Sequence, residues 1–126
     1  PMTLHAVNNL GLVHAQSGDF ERAGELWQEP LEGYRSAFGD THPATLVAMH
    51  NLARLRLVQR EFAHAESLAI ECEAGNLQRW GAKHSERREA VELVVQIYEA
   101  WAEAEPKRGH EASAERWRLI ADSFGQ

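Results

Sequence analysis

Apolar residues recur along the chain at intervals of three and four positions, the spacing that places side chains on one face of an α-helix. Breaks in this pattern coincide with residues that end or begin helices, as at Gly18-Asp19 and His42-Pro43. The pattern predicts six helices, over residues 2–17, 19–38, 43–59, 61–79, 85–104 and 109–123. The fold class is therefore expected to be all-α.

The sequence also repeats itself at a fixed offset of 42 residues. Thr3-Leu4 matches Thr45-Leu46, and Asn9-Leu10 matches Asn51-Leu52. Such a period is typical of arrays in which each repeat is one helix pair that buries its apolar face against its neighbours. The offset predicts a single domain over 1–126 with repeats at about 1–42, 43–84 and 85–126, that is, three antiparallel helix pairs.

The two ends of the chain depart from this scheme. In the third repeat the expected break near residue 102 is delayed by seven residues to Pro106-Lys107-Arg108-Gly109, and Leu93 replaces the asparagine. Seven residues are two helical turns, so a longer helix keeps the same face toward its neighbours. At the other end, Pro1 falls one period before Pro43, so we expect the C-terminal fragment of a longer array, capped by its last helix.

Composition excludes several classes of partner and compartment. The net charge of −6 gives no general attraction to nucleic acid or to anionic membranes. No apolar run approaches the roughly 18 residues of a membrane span. The single cysteine, Cys72, cannot form an internal disulfide, which fits a reducing compartment, so we expect a cytoplasmic protein. Seven histidines are present without a metal-binding spacing, so neither a metal nor another cofactor is expected.

These repeats resemble the 42-residue tetratricopeptide repeats of the kinesin light chain type. The motif residues that carry the resemblance are Thr3-Leu4, Asn9-Leu10-Gly11, Gly18, Phe20, Ala23, Phe38-Gly39 and His42-Pro43, and then Thr45-Leu46, Asn51-Leu52-Ala53, Phe62, Ala65, Trp80-Gly81 and His84. The match extends over residues 1–100 and is looser beyond. Such arrays are common in bacterial proteins, and the last repeat looks like those found C-terminal to bacterial serine/threonine kinase domains. The resemblance implies a right-handed superhelical stack, an α-solenoid, that binds a protein partner and has no catalytic residues.

In such a stack the first helix of each pair lines a concave groove. The groove positions are His5, Asn8, Asn9, Leu12, His50, Asn51, Arg54, Glu89, Glu92 and Gln96. Asn9 and Asn51 are the strongest candidates, because a carboxamide can pair with both polar groups of a peptide backbone. The resemblance implies the same role. The alternative for these asparagines is a hydrogen bond to a neighbouring helix.

The charges of the groove positions suggest the kind of ligand. The third helix pair has Glu89 and Leu93 where a clamp for a C-terminal carboxylate needs basic residues. The mixture predicts a groove that is neutral or positive at one end and acidic at the other, which suits a basic or mixed peptide. Arg54 has an alternative role as an inter-helix ion pair with Glu89 and Glu92.

Two functions follow from the sequence. The first is a protein-protein interaction scaffold that holds a partner segment in its concave groove. The alternative is a structural segment of a larger repeat protein, with no peptide ligand of its own and with end-to-end self-association of the truncated array. No phosphate-binding loop or nucleophile motif supports an enzyme, and we expect no nucleic-acid or membrane partner.

Overall fold

The computed structural model describes the backbone of residues 20–82 and 84–124, and the side chains of residue 28 and of residues 30–82 and 84–124. Five α-helices occupy these ranges. They are α1 (Phe20–Phe38), α2 (Pro43–Val58), α3 (Phe62–Trp80), α4 (Ser85–Ala104) and α5 (His110–Ser123). Each boundary lies within one residue of the predicted one. The prediction of an all-α fold is confirmed, and the predicted first helix, 2–17, lies outside the described residues.

Each described helix packs against the next one along the chain, and α2 also contacts α4. The connecting segments, residues 39–42, 59–61, 81–84 and 105–109, are short, so consecutive helices are antiparallel neighbours. Since α2 and α4 both run antiparallel to α3, they run parallel to each other. The right-handed superhelical twist of the whole array stays a prediction.

The loop between α1 and α2 shows how the repeated motif starts a helix. Gly39 adopts a left-handed backbone (φ 91°), which favours glycine and ends α1. His42 then caps α2, because its Nδ1 accepts a hydrogen bond from the Ala44 N–H at 3.1 Å. The imidazole also stacks on the Phe38 ring, with 4.5 Å between the centroids.

One period later, the loop between α3 and α4 repeats this arrangement. Gly81 has φ 94°, and His84 Nδ1 accepts from the Glu86 N–H at 3.1 Å. The His84 ring stacks on Trp80 with 4.9 Å between the centroids. The motif histidines are thus helix caps, and this loop fixes the position of Trp80 beside the start of α4.

The break inside the second repeat is made without glycine. Arg60 takes the left-handed conformation (φ 63°) at the position equivalent to Gly18, and its N–H donates to the Leu57 carbonyl at 2.9 Å. The next amide, of Glu61, donates to the Arg56 carbonyl at 2.9 Å. These bonds satisfy the last carbonyl groups of α2 and turn the chain into α3.

The larger of two apolar clusters in the described helices extends from α1 to α5, and the smaller one, with Val91, Val95 and Ala121, lies between α4 and α5. The main members of the larger cluster include Leu31 and Tyr34 of α1, Leu46, Met49 and Leu52 of α2, Leu68 and Cys72 of α3, and Leu93, Val94, Ile97 and Tyr98 of α4. Gly75 allows α3 to approach α2 closely, since a Cβ at that position would lie 2.5 Å from Leu46 Cδ2. That distance is too short for any side chain without a shift of Leu46.

The third pair differs from the second as the sequence predicts. Helix α4 continues to Ala104, and the chain then turns through Lys107 (φ 70°) and Gly109 (φ 88°) before α5. The His110 ring at the start of α5 stacks on Trp101 of α4, with 3.9 Å between the centroids. The delayed break is therefore confirmed.

Candidate binding groove

A cavity of about 500 Å³ lies between α2, α3 and the start of α4, and we call it the groove. It is lined by Pro43, Leu46, Val47, His50, Asn51 and Arg54 of α2, by Cys72, Asn76 and Trp80 of α3, and by His84, Glu86 and Glu89. The first helices of two successive repeats form its sides, and the last turns of α3 form its floor. Its volume is in the range of ligand pockets.

The structure brings together some of the groove residues predicted from the sequence. His50, Asn51, Arg54 and Glu89 all line the groove. Glu92 and Gln96 lie further along α4 than Glu89 and do not line it. The predicted residues of the first helix, His5, Asn8, Asn9 and Leu12, lie outside the described part of the chain.

The carboxamide of Asn51 is available to a ligand. The side chain is half-buried at the wall of the groove and makes no hydrogen bond with any described residue. The alternative use of this asparagine, a hydrogen bond to a neighbouring helix, is therefore not found within the described ranges.

Sequence reasoning missed the floor of the groove, which comes from α3. Asn76 is only 5% exposed and donates through Nδ2 to the Cys72 carbonyl at 2.9 Å and to Cys72 Sγ at 3.4 Å. The Cys72 thiol in turn lies 3.4 Å from the Leu46 carbonyl. The only sequence feature that marks Asn76 is its place one period after Tyr34, where a polar residue replaces an aromatic core residue.

Trp80 and His84 form the wall at the end of the groove where α4 begins. Trp80 is 39% exposed, and the Arg79 guanidinium lies 5.6 Å from the centre of its ring. The repeated motif could have located both residues, since they correspond to Phe38 and His42 one period earlier. The exposed part of the Trp80 ring is apolar surface that a ligand side chain could contact.

The titration of His50 reflects its place between two charges. Burial lowers the pKa of His50 below its ordinary value of 6.5, and the nearby Arg54 cation lowers it further. The Glu89 carboxylate acts in the opposite direction and raises the pKa. A lowered pKa leaves His50 uncharged at neutral pH, so it adds no positive charge to the groove.

The expected ion pair of Arg54 is not formed as predicted. Glu92 instead pairs with Arg88 on the same helix, with 3.3 Å between Nε and Oε1. Within the described ranges no ion pair joins Arg54 to Glu89. The physical reason is spacing, because Arg88 and Glu92 are four residues apart on one helix and already face each other.

The groove offers little chemistry beyond binding. Burial raises the pKa of the Cys72 thiol to about 12, so the thiol is protonated at neutral pH and is a weak nucleophile. In the part of the chain that the structure describes, no group of three histidine, cysteine or acidic side chains could hold a metal ion. No helix within the described ranges is long and apolar enough to cross a membrane.

A second cavity, of about 570 Å³, lies on the other side of α4 against α5. It is lined mainly by carboxylates, namely Glu99, Glu103, Glu111 and Glu115, together with Arg118 and two alanines. Arg118 pairs with Glu99 at 2.9 Å across the two helices. Its acidic residues are therefore exposed surface charges outside the groove.

Comparison with known families agrees with this architecture. A family model described as a tetratricopeptide repeat matches residues 2–76. The chain belongs to the tetratricopeptide repeat family. None of the curated proteins matches it. Tetratricopeptide repeats are scaffolds that mediate protein-protein interactions and are not themselves catalytic. The kinesin light chain type and the attachment to a bacterial kinase stay predictions, as does end-to-end self-association.

Proposed function

We propose that this tetratricopeptide repeat domain is an interaction scaffold that binds an extended segment of a partner protein in the groove. The observation that carries the proposal is the carboxamide of Asn51, which lines a cavity large enough for side chains and forms no hydrogen bond with the residues that the structure describes. Its N–H₂ group would donate to a peptide carbonyl and its oxygen would accept from a peptide N–H. Asn9, one period earlier, would make the same contacts at the next position along the ligand.

The remaining groove positions would act on the side chains of the partner. His50 and Arg54 would border the ligand on the α2 side, and Glu89 on the α4 side. Glu92 and Gln96 would contact only a ligand that continues along α4 past the cavity. His5, Asn8 and Leu12 would extend the same surface along the first helix.

The test uses an array of short random-sequence peptides probed with the purified chain, followed by fluorescence anisotropy on the peptides that bind. Asn51→Ala should raise the Kd of all of these peptides by about tenfold, because it removes contacts to the peptide backbone rather than to a particular side chain. Combination with Asn9→Ala should weaken binding further. Circular dichroism should show unchanged helicity.

Gln78→Ala is the matched control, since Gln78 is an exposed amide on α3 that does not line the groove. It should bind the peptides as tightly as the unchanged chain does. Equal binding by the Asn51→Ala and Gln78→Ala variants would contradict a role for the groove carboxamide.

A further inference from the structure

The end of the groove next to Trp80 contains the side-chain oxygen of Asn76, which accepts no hydrogen bond from a described residue. The Nδ2 group of Asn76 must face the Cys72 carbonyl, because a carbonyl oxygen can only accept. The Oδ1 atom is therefore at the other end of the amide, and no described residue donates to it. Asn76 is nine-tenths buried and lines the cavity, so this oxygen is a built feature of the groove.

Two carboxylates stand at the same end. Glu86 and Glu89 lie three residues apart in the first turns of α4, on one side of the helix, and both line the groove. Neither forms an ion pair with a described residue, since the two arginines next to them in sequence, Arg87 and Arg88, pair with Glu73 and Glu92. Within the described residues, this end of the groove therefore has two carboxylates without an ion pair beside the Asn76 oxygen.

Arg54, the arginine among the residues that line the groove, lies at its other end. Helices α2 and α4 run parallel, and the 42-residue offset places Glu86 and Glu89 level with Ala44 and Val47 at the start of α2. Arg54 is seven residues beyond Val47, or about 10 Å along the helix axis. Asn76 and Trp80, near the end of the antiparallel α3, fall at the acidic end. The charges are therefore separated along the groove.

We infer that this end of the groove selects a lysine or arginine side chain of the partner segment. The aliphatic stem would lie against Val47 and the exposed part of the Trp80 side chain, and the cation would donate to Asn76 Oδ1 and to the carboxylates of Glu86 and Glu89. A carboxylate would be repelled by the Glu86 and Glu89 carboxylates and by the Asn76 oxygen. An apolar side chain would leave the Asn76 oxygen without a partner.

This inference rests on the proposed function, because it names the side chain that the bound segment places in the groove. The probe is a set of peptide pools in which one position is fixed as Lys, Arg, Gln, Met or Glu and all others vary among uncharged residues. Retention on the immobilised chain should be about tenfold greater for the Lys and Arg pools than for the Gln and Met pools. The Glu pool should be retained least.

The decisive variant is Glu86→Gln with Glu89→Gln, which should remove the preference for the Lys and Arg pools over the Gln and Met pools. Its matched control is Glu103→Gln with Glu111→Gln, which removes the same charge from the cavity between α4 and α5 and should keep the preference. Asn51→Ala should reduce the retention of every pool by the same factor, so the preference for the Lys and Arg pools should remain.

The outcomes separate the two proposals. Binding without a preference for basic residues, or a preference that survives Glu86→Gln with Glu89→Gln, would overturn this inference and leave the proposed function standing. Retention of no pool would overturn both. Occupation of the groove by a second copy of the chain would appear as peptide-independent dimers in light scattering and would also overturn the inference.

Discussion

Arg87 donates from its Nε to the Glu73 carboxylate at 2.9 Å and so joins the first turn of α4 to α3. Both side chains are largely buried, and the Phe124 ring lies 5.5 Å from the guanidinium carbon. One period earlier the equivalent positions hold Leu31 and Thr45, which are also buried. The second interface between repeats therefore has a buried ion pair where the first has an uncharged pair.

This difference predicts the behaviour of the two residues when they are replaced. Glu73→Leu alone should lower the free energy of unfolding by about 3 kcal/mol, because it leaves the Arg87 cation buried without its partner. Glu73→Leu together with Arg87→Thr copies the earlier interface and should recover most of this loss. Urea unfolding of the single and double variants measures the coupling.

Leu31→Ala serves as the comparison for side-chain size. Leu31 occupies the position equivalent to Glu73 one period earlier, and its truncation leaves no buried charge without a partner. It should cost about 2–5 kcal/mol, and no substitution at Thr45 should restore that loss. If the double variant were as unstable as Glu73→Leu alone, the buried charge would not be the cause.

The turn between α2 and α3 predicts a stabilising substitution. Arg60 has φ 63°, and this left-handed backbone conformation costs a residue with a Cβ about 1 kcal/mol of stability. Arg60→Gly should therefore raise the free energy of unfolding by about 1 kcal/mol, less the small contact of the guanidinium with the Phe62 ring at 5.2 Å.

Arg60→Ala is the matched control, because it loses the same contact with Phe62 but keeps a Cβ. Chemical denaturation should rank the glycine variant above the alanine variant by about 1 kcal/mol. Equal stability of these two variants would show that the left-handed backbone carries no strain.

Much of the fold could be predicted from the sequence because the repeat motif determines where helices begin and end. The glycines at 39 and 81 and the histidines at 42 and 84 act within a few residues of each other, so their effect is visible in the sequence. The delayed break before Gly109 could be predicted for the same reason, from the position of Pro106.

The site was less accessible to prediction because its floor depends on contacts between helices. Helical register identified His50, Asn51 and Arg54 on α2, whereas Asn76 occupies a position of α3 that the apolar pattern assigns to the core. The Asn76 amide nitrogen donates to the Cys72 carbonyl, so the amide oxygen has no partner among the described residues. This contact cannot be predicted from the spacing of residues in the sequence. The predicted ion pair of Glu92 with Arg54 of α2 was also wrong, because Glu92 pairs with Arg88 on its own helix.

The chain has two tyrosines, and both should resist ionisation in the folded protein. Burial raises the pKa of Tyr34, and burial with the 2.6 Å hydrogen bond to Glu66 raises that of Tyr98 to about 12. The pKa of a tyrosine in the unfolded chain is about 10. The contribution of these tyrosines to the free energy of unfolding should therefore be complete below about pH 10 and decrease as the pH rises toward 12.

An ultraviolet titration of phenolate formation checks this prediction. The folded chain should show less phenolate at about pH 10 than the chain in guanidinium, whose tyrosines are about half ionised at that pH. Glu66→Gln should lower the pKa of Tyr98, because it removes a neighbouring negative charge that opposes ionisation. Ordinary titration of both tyrosines in the folded chain would refute the burial and the hydrogen bond that the structure gives them.

The lowered pKa of His50 predicts that the free energy of unfolding decreases below neutral pH. Its pKa in the folded chain is below the ordinary 6.5, so the unfolded chain binds the proton more readily. The contribution of His50 is therefore complete above about pH 6.5 and is lost as the pH falls toward the folded pKa. Urea unfolding between pH 5 and 8 should show a weaker dependence on pH in His50→Gln than in the unchanged chain.

The two charges beside His50 provide opposite controls for this assignment. Arg54→Gln should raise the pKa of His50, because it removes a nearby cation, and Glu89→Gln should lower it, because it removes a nearby anion. Titration of the His50 ring by NMR follows both shifts directly. Opposite shifts would show that a cation and an anion of the groove both act on the His50 imidazole. Shifts in the same direction, or none, would contradict the assignment of Arg54 and Glu89 as the charges that influence the pKa of His50.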